Sequence, residues 1–172
     1  MHKKSFLAVV SGLVLAMATY NALAFTCTTT ITGQTINGGV EVPDNAECTL
    51  RDVRVNGGVT VGANASLLVC DSRINGGVQA EGSNDIHLGE VDTDGPCPGN
   101  DINGGVTIQG ALGAELDSNN INGTVKLQNN GTVEVENNSI HGSLQCSGNT
   151  TIANEGFLNT VTGQETGQCA GF

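Results

Sequence analysis

Asp85, His87, Glu90, Asp92, Asp94 and Asp101 crowd into one short stretch of the chain. Hard carboxylate oxygens at that density are the chemistry of a calcium site. Asp92-Thr93-Asp94-Gly95 also has the alternation that opens a calcium loop, with glycine permitting the sharp turn. Asp92, Asp94, Asp85 and Glu90 are the candidate calcium ligands. No glutamate stands where such a loop closes, so the competing reading is a solvated acidic loop pinned by Cys97 and its flanking prolines.

A second constellation is Asp52-Val53-Arg54, followed by Asp71-Ser72-Arg73. Its simplest use is a surface lattice of ion pairs, each worth under about 1 kcal/mol. Catalysis on an acidic polysaccharide needs a cation to neutralise the uronate and a base to take its proton. Only Arg51, Arg54, Arg73, Lys126, His87 and His141 could serve, and the aromatic platforms that stack on sugars are missing. No catalytic residue is assigned, and a polysaccharide-active enzyme stays a remote alternative. Ice binding needs a regular threonine lattice. The outward column Glu41, Thr60, Gln79, Thr107, Lys126 and Gln145 is mixed.

The elements that carry these residues come from a repeat. Ile-Asn-Gly-Gly-Val begins at Ile36 and recurs with small changes at Val55, Ile74, Ile102, Ile121 and Ile140, and Val161-Thr162-Gly163 is a decayed copy. The period is about 19 residues, except that the third unit is 28 long and holds the acidic 85–101 insertion. Within each unit apolar residues alternate, as in Val59 and Val61, then Ala65, Leu67 and Val69. Alternation is the period of a strand, and the intervening Asn and Gly residues suit tight turns. One such coil cannot bury its apolar face alone, so coils must stack around a shared core. The fold class is therefore all-β: a right-handed parallel β-helix of about six coils, its hand set by the preference of parallel crossovers. Asn37, Asn56, Asn75, Asn103 and Asn122 fall in one column, closed by His141, where side-chain amides can bond along the axis. The glycine after each one is expected to supply a left-handed turn.

The ends and the charge bound the setting. A basic Met1-His2-Lys3-Lys4, an apolar run from Phe6 to Met17 and Ala22-Leu23-Ala24 make a secretory signal peptide, with cleavage expected after Ala24. Residues 25–172 are then a single domain in an oxidising compartment, secreted or periplasmic. Its six cysteines form disulfides by default. The coil geometry pairs them in sequence order: Cys27 with Cys48, Cys70 with Cys97, Cys146 with Cys169. Losing Lys3 and Lys4 takes the formal charge from −11 to −13. Such a surface repels nucleic acid and anionic membranes and attracts cations.

The Asn-Gly-Gly-Val repeats, the Cys27…Cys48-Thr49-Leu50 opening and the Ser143-Leu-Gln-Cys146-Ser-Gly-Asn…Gly-Gln-Cys169-Ala-Gly close carry a resemblance. The mature chain resembles a group of uncharacterised secreted bacterial right-handed β-helix proteins. The resemblance implies an extracytoplasmic β-helix and brings no activity or catalytic residue with it. The coil pattern is also similar to that of the polymer-forming bactofilins, which are cytoplasmic and lack the disulfides. The function expected is a structural or adhesive cell-envelope protein without catalytic activity. Its partners would be itself or envelope components, with no nucleic acid and no membrane insertion. No cofactor is expected apart from calcium, and the alternative is a calcium- or ligand-binding module built on the 85–101 insertion.

Overall fold

The computed structural model describes residues 24–92 and 95–172, without the side chains of Glu90–Asp92. They wind into a right-handed parallel β-helix of about seven turns. Three parallel sheets run the length of the rod. Sheet A has eight strands, from Phe25–Thr26 to Glu165–Gly167. Sheet B has seven, from Thr30–Thr32 to Thr151–Ala153. Sheet C has seven strands of two residues each, from Thr35–Ile36 to Thr160–Val161. No helix among the described residues is long and apolar enough to cross a membrane.

The alternation read from the sequence sets which side chains point inward. Val59 and Val61 on sheet A, Leu67 and Val69 on sheet B, and Ile74 on sheet C are all buried. The same pattern recurs coil by coil, so identical positions stack into aliphatic columns, each fully buried side chain contributing roughly 1.5–3 kcal/mol before entropy is counted. Among the described residues the interior contains no aromatic ring except Phe172, which packs on the core from the C-terminal end.

The long third unit does not break the ladders. Asp85–Leu88 is a regular strand of sheet B, with Ile86 opposite Leu67 on one side and Ala114 on the other. The extra residues leave the coil only after Leu88, as an antiparallel hairpin of Glu90–Asp92 with Gly95–Cys97. Asp101 is back in sheet C, opposite Arg73. The acidic stretch is thus not one loop. Buried Ile86, Leu88 and Ile102 hold its two ends in the coil, and only the middle projects.

Three disulfides staple the solenoid in sequence order. Cys27–Cys48 lies at the first coil, Cys70–Cys97 ties the hairpin to the rod, and Cys146–Cys169 lies at the last coil, with Cα–Cα distances of 5.5, 4.8 and 5.4 Å. They fit an oxidising compartment.

One expectation about the turns is corrected. The glycines that follow the asparagine column are absent from the left-handed positions. Those are taken by residues such as Asn45, Asp52, Asn64, Asp71, Ser118 and Asn137, on other corners of the coil. The column glycines are there for space. A Cβ on Gly76 would sit 2.6 Å from the backbone nitrogen of Gly58 in the coil before, because the backbones of successive coils touch at this corner.

Candidate functional site

Sheet B presents the chain's most concentrated set of ionisable groups among the described residues. Outward positions of successive strands align His87, Glu115 and Glu134 in one column, and Asp117 and Glu136 in the next. The imidazole of His87 sits between two carboxylates, with Nε2 2.9 Å from Asp85 Oδ2 and Nδ1 3.4 Å from Glu115 Oε2. It opens onto a shallow depression of about 390 Å³, rimmed by the exposed Leu112 and reaching Thr132 and Glu134.

Further along the same face, carboxylate oxygens of Glu134, Glu136 and Glu155 lie within 4.8 Å of one another. In-register stacking brings these like charges together, because parallel coils repeat every outward position about 4.8 Å along the axis. Burial, and then repulsion from Glu155, Glu115, Glu136 and Asp117, raises the Glu134 carboxyl to about 7. Glu136 is raised by burial first and then by Asp117, Glu155 and Glu115, and its Oε2 is buried without a hydrogen-bond partner. Such a face can hold protons near neutrality or share a cation.

The expected calcium ligands fall differently. Asp94 lies outside the described residues, as do the side chains of Glu90 and Asp92. Asp85 is described, and its carboxylate faces His87 on the regular coil. Glu134, Glu136 and Glu155 were missed from the sequence because Glu155 stands a whole coil away from the other two along the chain. Their common signal was the repeat: Glu115 and Glu134 differ by one period, as do Asp117, Glu136 and Glu155.

A second depression of about 510 Å³ runs along the corner between sheets B and C, lined by Asp52, Arg54, Asp71, Arg73 and Asp101 among others. The ion-pair lattice expected here does not form. Arg54 and Arg73 stack in register, and the described residues place no carboxylate within 4.0 Å of either guanidinium. Each Nε–H donates instead to an asparagine two residues on, Arg54 to Asn56 Oδ1 at 3.2 Å and Arg73 to Asn75 Oδ1 at 3.3 Å. Asp52 and Asp71 occupy left-handed turns, and although they line the same depression they make no ion pair with the arginines.

No protein-family model, curated protein or solved structure matches the chain.

The polar groups the structure uses most heavily are asparagines. The exposed column bonds along the axis, Asn56 Nδ2 to Asn37 Oδ1 at 3.1 Å and onward through Asn75, Asn103 and Asn122. Two further ladders are buried. In one, Asn100, Asn119, Asn138 and Asn159 pass hydrogen bonds from coil to coil. In the other, Asn130 donates to Asn149, which donates to Gln168 Oε1. These side chains satisfy the backbone amides of the turns, which the closely stacked coils shut off from water.

Proposed function

We propose that the protein is an exported structural or adhesive component of the cell envelope, secreted or periplasmic, and that it is not an enzyme. The observation that carries this reading is the unbroken register of the three sheets through the long third unit, locked at both ends and in the middle by disulfides. Bonds of this kind suit a rod that keeps its shape outside the cytoplasm. The side chains within the coils are committed to packing and to asparagine ladders, while the outward faces carry the polar and acidic groups available to partners. The partners this implies are further copies of the chain or other envelope components.

The test is cell fractionation of the producing cell, together with adhesion or envelope-integrity measurements on a strain lacking the gene. Retention in the envelope or surface fraction and a defect restored by the intact gene are the expected results. Turnover of a defined glycan by the purified protein, or residence in the cytoplasm, would end this reading.

The convergence of Glu134, Glu136 and Glu155 favours a second reading, a divalent-cation-binding module sited on sheet B and apart from the 90–97 hairpin. Calorimetry with calcium decides it, heat of binding supporting it and its absence removing it.

A further inference from the structure

Charge is distributed very unevenly along the rod. Residues 25–40, the first coil, contain no Asp, Glu, Lys, Arg or His. Residues 41–73 hold five carboxylates and three arginines, whereas residues 74–172 hold twelve carboxylates and a single lysine. A chain of this net charge repels its own copies over most of its surface. The first coil is the exception.

That coil also ends all three sheets. Among the described residues, strands Phe25–Thr26, Thr30–Thr32 and Thr35–Ile36 each pair on one side only. Their inward bonds are accounted for: Phe25 and Cys27 N–H donate to Gly39 and Glu41 O, Gly33 N–H donates to Arg51 O, and the Gln34 and Ile36 carbonyls accept from Arg54 and Asn56 N–H. Along a parallel strand alternate residues bond to opposite neighbours. Thr26, Thr30, Thr32 and Thr35 therefore turn their backbone groups outward along the axis, and their side chains are exposed. Natural edges are usually blunted by charge, proline or a covering segment, and this one has neither charge nor proline.

At the other end the strands Thr151–Ala153, Thr160–Val161 and Glu165–Gly167 also pair on one side only among the described residues, but the closing segment lies over part of that edge. Phe172 packs against the core there, and Asn159 donates twice to its carbonyl, at 2.6 and 3.1 Å. Glu155 and Glu165 add negative charge there. Of the two ends, only the first coil combines open strands with neutrality.

We propose that two copies of the mature chain join end to end through their first coils, the edges at Thr26, Thr30, Thr32 and Thr35 of one copy pairing with those of the other. The pairing rests on the structural reading above and gives it a building block: a two-fold rod with its acidic ends pointing away from each other. The interface is isologous, so assembly stops at two.

The test is sedimentation equilibrium of the protein recovered after export, its N-terminus fixed by mass spectrometry, across a hundredfold range of concentration. The expected result is twice the monomer mass for a chain beginning near Phe25. The double variant Thr30→Lys, Thr35→Lys should dissociate at least tenfold more readily while keeping its circular dichroism and three disulfides. Those lysines lower the net negative charge, so general repulsion predicts the opposite change. Glu165→Lys, at the far end, should dimerise as the parent does. A mature monomer at all concentrations overturns the proposal, as does a double variant that dimerises unaltered. Open-ended growth, or an edge found covered by uncleaved residues before Phe25, overturns it too. Dimer loss with envelope retention would spare the structural reading, and glycan turnover by an intact dimer would spare the pairing.

Discussion

Oδ1 of Asn138 accepts two hydrogen bonds from Asn119 in the coil before, from the backbone N–H at 2.9 Å and from the side-chain amide at 3.0 Å. Asn119 in turn accepts the backbone N–H of Asn100 and donates to Leu88 O, at 1 % exposure. Truncating it leaves buried donors and acceptors without partners, and an orphaned buried group costs about 1–3 kcal/mol. Asn119→Ala should therefore destabilise by roughly 2–4 kcal/mol, since more than one group is orphaned. Asn56→Ala, on the exposed ladder, should cost under about 1 kcal/mol because water replaces the lost partner. Urea unfolding of the two variants checks the ranking.

The Gly76 corner gives a second prediction. A Cβ there meets the Gly58 nitrogen and Cα at 2.6 and 2.7 Å, backbone atoms that cannot rotate away. Gly76→Ala should cost at least about 1–3 kcal/mol, the usual range for overpacking. At Gly82 the nearest neighbour to an added Cβ is 3.9 Å away, and φ is +62°. Gly82→Ala should thus lose only about 1–2 kcal/mol, from conformation alone. Equal stabilities would mean that coil spacing relaxes freely at the Gly76 corner.

The carboxylate face makes stability depend on pH with a definite sign. Burial and then the neighbouring carboxylates raise the Glu134 carboxyl from its ordinary 4.5 to about 7 in the folded chain. Between those values the folded state binds more protons than the unfolded one, so the contribution of this group to stability falls as pH rises from 4.5 to 7. Thermal unfolding should occur at a higher temperature at pH 5 than at pH 8, and Glu134→Gln should flatten the difference. A parent melting curve unchanged over that range would show that the folded face does not hold the proton.

Removing the last staple tests how far the coils act independently. Cys146→Ser with Cys169→Ser opens a bridge between residues 23 apart, worth about 3 kcal/mol in the chain-entropy model. In a solenoid each coil leans on its neighbours, so the loss should stay local. Hydrogen exchange should quicken across residues 144–172 and stay slow in the coils carrying Leu67, Ile86 and Leu116. Uniform quickening along the rod would instead mark a single cooperative unit.

The fold was legible because a stacked coil writes itself into the sequence as a period. The alternation of Val59, Val61, Leu67 and Val69 and the return of the motif at Ile74 fix both strands and stacking. The buried ladder was written just as regularly: Asn100, Asn119, Asn138 and Asn159 each stand two residues before a repeat start. It was passed over because asparagine in a glycine-rich turn has an ordinary local explanation, and burial of the turn depends on how closely the coils approach. The same holds for Arg54 and Arg73. Neighbouring opposite charges suggested pairing with Asp52 and Asp71, but each aspartate sits in a left-handed turn and each guanidinium bonds to the asparagine two residues on. The acidic run at 85–101 is a different case, since nearness in the chain conceals that Asp85 and Asp101 belong to different sheets.

The hairpin after Leu88 leaves and rejoins the coil without shifting the pairing of Ile86 with Ala114. The rod therefore separates two kinds of inheritance. Coil positions are bound to their neighbours above and below, so changes there must come in stacked sets. The strands of the hairpin pair with each other instead, and it is where length and sequence can drift, and new recognition can be tried, at little expense to the architecture.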